Sequence, residues 1–145
     1  MKRKILITVI VVLVLALGGG FYFAKKMTTP QNQLKENFNI QLEDTKLLYD
    51  VDTKEGFHND GLSYEIYQVK NQDAEFLKKI TQPKNEAMEK DVNELLKNVD
   101  ISKDNSIDWS KEYTWQKVEL NEGFDVLYLI LFKDNNTVYA IANSI

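Results

Sequence analysis

The chain has one histidine, His58, and it sits in a stretch dense with acids: "DVDTKEGFHNDG", Asp50 to Gly61, also holds Asp50, Asp52, Glu55 and Asp60. Carboxylates and imidazole are the groups that ligate divalent cations and relay protons. The stretch opens D-x-D as a calcium loop does. Lys54 then stands where the third ligand belongs, Glu55 where the sharp-turn glycine belongs, and Gly61 where a bidentate glutamate would close the site. The EF-hand spacing fails, and a looser cation site using Asp50, Asp52, His58 and Asp60 is the chemical reading that remains. The competing reading is a turn, because Asn59, Asp60 and Gly61 tolerate positive φ and cap hairpins with their own side chains.

Nucleophilic catalysis finds little support. The chain has no cysteine, and Ser63, Ser102, Ser106, Ser110 and Ser144 form no nucleophile-elbow pattern around the lone imidazole. No catalytic residue and no cofactor are assigned, although a pair of carboxylates can act without any local motif. The second candidate is aromatic. Tyr64, Tyr67, Tyr113, Trp115, Tyr128 and Tyr139, with Tyr49, all fall in expected strands, and on one exposed face they would form an apolar, hydrogen-bonding surface for a glycan, a peptide or a partner protein. Cross-strand pairing and core packing use the same residues and are the alternative.

The elements that must position these groups follow from periodicity. Leu47, Tyr49 and Val51 alternate with polar neighbours, and Leu62, Tyr64 and Ile66 repeat the pattern, which predicts an antiparallel hairpin across residues 54–61. Met88, Val92, Leu95, Leu96 and Val99 recur at helical spacing, and "DAEFLKKI" (Asp73 to Ile80) predicts a shorter helix ending before Pro83. Three strands follow, over 112–120, 124–133 and 137–145, joined by "NEG" and "DNN". The run Val126–Phe132 is apolar on both faces and predicts a central strand. The expected fold is α+β: a single antiparallel sheet, β-β-α-α-β-β-β, with helices packed on one face, preceded by an N-terminal transmembrane helix.

That last element rests on Lys2, Arg3 and Lys4, the uncharged run Ile5 to Ala24 and the closing Lys25 and Lys26. As a helix the run spans about 30 Å, the thickness of a bilayer's hydrocarbon. A cleaved signal peptide with Ile5–Leu17 as its apolar region is the rival, but Phe21, Tyr22 and Phe23 extend the run past the glycines and suit a membrane interface. The basic flanks orient the N-terminus to the cytoplasm and the C-terminal domain to the outside. The expected organisation is a membrane anchor over 1–26, a linker over 27–37 and an extracytoplasmic domain over 38–145.

The first thirty residues contain no acid, and five of the 18 Lys and Arg lie in or beside the anchor, so the rest of the chain sets thirteen bases against 22 acids. Its net charge is about −9, which disfavours nucleic acid and anionic surfaces as partners. "DTKEGFHNDG" also resembles a D-T-x-G-G-F-H-G-D-G-like hairpin segment of small membrane- or lipid-anchored extracytoplasmic proteins of low-GC Gram-positive bacteria. Asp52, Thr53, Gly56, Phe57, His58, Asp60 and Gly61 match, while Glu55 and Asn59 replace glycines. The resemblance implies location and architecture and assigns no activity. The expected function is a membrane-tethered extracytoplasmic binding or interaction module of the cell envelope, with a divalent-cation-dependent site on the Asp50–Asp60 hairpin as the alternative.

Overall fold

A computed structural model describes residues 29–53 and 61–144. The membrane-anchor reading of residues 5–24, and the turn residues 54–60 with His58 and Asp60 among them, lie outside the described residues. Among those described, no helix is long and apolar enough to cross a membrane.

The apolar run "LYLILF" dictates the centre of the molecule. In β5 (Asp125–Phe132) Leu127, Leu129 and Leu131 point to one face, while Tyr128, Ile130 and Phe132 point to the other, and all six are buried. A strand apolar on both sides needs a paired neighbour at each edge and a cover on each face. Its neighbours are β4 (Thr114–Leu120) and β6 (Thr137–Ser144). Beyond β6 lies β2 (Gly61–Val69), then β1 (Thr45–Asp52), and beyond β4 lies β3, only Gln82–Pro83. The result is a six-stranded antiparallel sheet in the order β1-β2-β6-β5-β4-β3. Pro83 has no N–H to offer, so β3 blunts this edge beside Thr114 and Trp115.

The covers correct the expected architecture. Helix α1 (Pro30–Phe38) buries Leu34 and Phe38 on one face of the sheet, together with Phe76 from a 3₁₀ turn, Glu75–Lys79. Helix α2 (Glu86–Leu96) buries Met88 and Val92 on the opposite face. The sheet is therefore sandwiched between helices instead of carrying both on one side, and it has six strands where five were expected. Three physical causes account for the difference. Helix α1 displays a single i, i+4 apolar pair, too short a pattern to show a period, and lies in the segment expected to be a linker. Pro30 starts it, and Asn39, in the left-handed region at φ 54°, stops it. The stretch expected as a helix over 73–80 tightens to 3₁₀, and the two-residue β3 is below the length at which alternation can be seen.

Helix α2 begins where its cap dictates: the Asn85 side chain accepts a hydrogen bond from the Met88 N–H at 3.1 Å. The N-terminal hairpin pairs as expected, from Thr45 opposite Val69 to Asp52 opposite Ser63, but a register shift between Leu47 and Tyr49 interrupts it. This bulge sends Leu47 to the α1 face and Tyr49 to the α2 face, and leaves Leu48 52% exposed. Strict alternation had placed Leu47, Tyr49 and Val51 together.

Candidate functional site

Beyond the bulge, Asp50 and Asp52 project on the α1 side of β1. Asp50 stands directly opposite Glu65, and Asp52 opposite Ser63. Glu65 is 2% exposed, an unusual burial for a carboxyl group, and accepts a hydrogen bond from the Tyr67 hydroxyl at 2.6 Å. Burial, reinforced by the neighbouring Glu65, raises the Tyr67 phenol well above its ordinary range. Sequence reasoning missed Glu65, which reads as one more polar residue on an alternating strand. Only the register, which sets it across from Asp50, reveals its neighbours. Among the described residues no three acidic or imidazole groups are placed to hold a metal ion.

The aromatic residues assemble inside the α2 face. Ring contacts run without a break from Trp109 to Tyr113 (5.5 Å between centroids), Phe132 (5.7 Å), Tyr139 (5.4 Å), Tyr64 (6.1 Å) and Tyr49 (6.2 Å). Tyr64, Tyr67, Tyr113 and Tyr128 are buried, while Trp115 and Tyr139 are half-buried. Tyr67 does not join the others, because its odd position on β2 points it to the α1 face. Two of these phenols are spent internally: Tyr64 donates to the Asn105 carbonyl, and Tyr113 donates to Glu89 at 2.8 Å. The Trp115 indole donates to the Pro83 carbonyl at 2.8 Å. Burial, the largest cause in each case, raises the Tyr64 and Tyr139 phenols, and pushes Tyr113 up to about 12. These six residues present core packing where an exposed aromatic platform was envisaged.

An arrangement with room for a ligand lies elsewhere. On the α1 side, where β5 turns into β6 and the 3₁₀ turn crosses the sheet, a cleft of about 520 Å³ opens. Val69, Leu77, Ile80 and Leu131 give it an apolar floor, and Gln72, Lys78, Thr81, Lys133 and Asn136 line it with polar groups. Its volume is within the range of small-molecule sites, which combine apolar walls with a few polar anchors. The rim is held by local bonds: Gln72 Nε2 donates to Asn136 Oδ1 at 3.0 Å, and Gln68 Nε2 to the Asn136 carbonyl at 3.0 Å. Asn136 adopts φ 51°, the left-handed backbone that lets the β5–β6 turn close. Thr114 also lines the cleft, and its Oγ1 is buried without a hydrogen-bond partner among the described residues. None of these residues carries a motif. The cleft arises from three segments far apart in sequence, a juxtaposition that only pairing of β2 with β6 and β4 with β5 creates. No protein-family model matches this chain, and neither a curated protein nor a solved structure matches it.

Proposed function

We propose that the chain is a membrane-tethered extracytoplasmic binding module of the cell envelope, and that its ligand is a small molecule seated in the cleft between the 3₁₀ turn and the β5–β6 hairpin. The observation that carries this reading is the cleft itself, an apolar floor rimmed by amides and two lysines in a domain whose other large apolar side chains are mostly covered. The tether and its orientation come from the apolar run Ile5–Ala24 with its basic flanks, and from the resemblance of residues 52–61 to anchored extracytoplasmic proteins. The burial of Tyr64, Tyr113 and Tyr128, and the internal spending of the Tyr64 and Tyr113 hydroxyls, argue against a flat glycan- or peptide-binding platform on the α2 face.

The test has two parts. Protease added outside intact cells should digest the C-terminal domain and leave the anchor protected. In lipid nanodiscs, small-molecule binding should perturb the methyl resonances of Val69, Leu77, Ile80 and Leu131. The competing cation reading has His58 and Asp60 outside the described residues. It predicts that Ca²⁺ or Zn²⁺ raises the melting temperature and that Asp52→Asn or His58→Gln removes the rise. Such a result would displace the cleft as the principal site.

A further inference from the structure

The charge of the cleft differs from that of the domain around it. Outside the anchor region the chain carries about nine net negative charges, yet the ionisable residues lining the cleft are both lysines, Lys78 and Lys133. Lys78 is already matched, since its ammonium pairs with Glu75 at 2.5 Å within the 3₁₀ turn. Lys133 has no ion pair among the described residues. The cleft therefore offers one uncompensated positive charge above an apolar floor. Neutral donors stand beside it: Asn136 accepts from Gln72 through Oδ1, which leaves its Nδ2 hydrogens uncommitted among the described residues, and the Thr114 hydroxyl in the wall is likewise unspent.

We infer that this cleft selects a small molecule with an apolar body and a single carboxylate, the carboxylate meeting Lys133 and Asn136 while the body covers Val69, Leu77, Ile80 and Leu131. One net cation matches a monoanion. A doubly charged phosphate would carry its second charge, unmatched, into the field of an acidic domain. An ammonium ligand would face Lys133 directly, and a neutral alcohol would forgo the charge-assisted bond. The inference rests on the cleft being a binding site and adds the class of its ligand.

Three probes that share one apolar tail separate these statements: hexanoate, hexanol and hexylamine, each titrated into the full chain in zwitterionic nanodiscs while the cleft methyls are observed. Hexanoate should bind most tightly and hexylamine not measurably. Lys133→Met should weaken hexanoate by about tenfold or more, as loss of a hydrogen bond to a charged group does, and leave hexanol unchanged. Lys133→Arg should restore most of the loss. Lys133 is exposed on a turn, so its replacement leaves the core intact. If hexanol binds as tightly as hexanoate and Lys133→Met is without effect, the carboxylate preference is wrong and the cleft still binds. If none of the three moves the cleft methyls, the binding reading falls and takes the inference with it.

Discussion

Replacing Leu34 by alanine should destabilise the whole domain, although Leu34 lies in a segment whose composition suggests a polar tether. A nine-residue helix is below the length that is stable alone in water, so α1 exists only through what it buries. That is Leu34, 2% exposed, and Phe38, 4% exposed, packed with Ile40, Leu42, Tyr67, Phe76 and Leu127. Leucine-to-alanine changes at such sites cost about 2–5 kcal/mol. Because α1 is held by two side chains and can settle toward the sheet, the lower half of that range, about 2–3.5 kcal/mol, is expected here. At about 4 °C per kcal/mol for a domain of this size, the melting temperature should fall by about 8–14 °C. Both tryptophans of the chain, Trp109 and Trp115, pack on the α2 side, so urea unfolding followed by their fluorescence reports from the face opposite the mutation. Lys35→Ala, an exposed neighbour, is the control and should change stability by less than about 0.5 kcal/mol. A Leu34→Ala effect no larger than that of Lys35→Ala would refute the assignment of α1 to the core.

Two further perturbations probe the buried polar groups. Tyr67→Phe removes the 2.6 Å bond to a carboxyl that is 2% exposed, and should cost about 1–3 kcal/mol in denaturant unfolding; a neutral result would show that Glu65 is satisfied without it. Tyr64, Tyr67, Tyr113 and Tyr139 all have folded-state values raised above the ordinary phenol near 10, so the unfolded chain loses those protons first. Their contribution to stability is complete below pH 10 and declines as pH climbs from there through the raised values, with Tyr113 at about 12. A residue-resolved tyrosine NMR titration should show these four phenols ionising together with loss of the folded state; their ionisation near pH 10 in an intact fold would contradict their burial.

The central strands were legible because their composition leaves few choices. Leu127–Phe132 is apolar at every position, and a run of that kind must be an inner strand with both faces covered. Helix α2 was legible because its apolar residues recur at helical spacing over three turns. What covers each face was not, since the side on which a helix packs depends on the path of the chain across the sheet and not on the helix's own pattern. The bulge at Leu48 is invisible for a related reason: Leu47, Leu48 and Tyr49 are all apolar, so an alternating count accepts either register. Among the candidate site residues, Tyr64 and Tyr128 were correctly placed in strands, while Tyr113 lies one residue before β4; exposure is decided by the loop over 97–113 and α2, which close over the sheet. The cleft offered no local signal at all. Gln72, Thr114, Lys133 and Asn136 are ordinary turn and strand-end residues until the sheet brings them together.

The most direct test of the binding account is a methyl-resolved spectrum of the full chain in nanodiscs, recorded with a library of small apolar acids, for the natural sequence and for Thr81→Trp. Thr81 is an exposed lining residue, so a tryptophan there fills the cleft and leaves the core alone. Shifts should concentrate on Val69, Leu77, Ile80 and Leu131 and vanish in Thr81→Trp, with the melting temperature of the unliganded domain unchanged. Shifts that persist in Thr81→Trp, or that gather instead around Leu95, Val126 and Tyr128 on the α2 side, would contradict it.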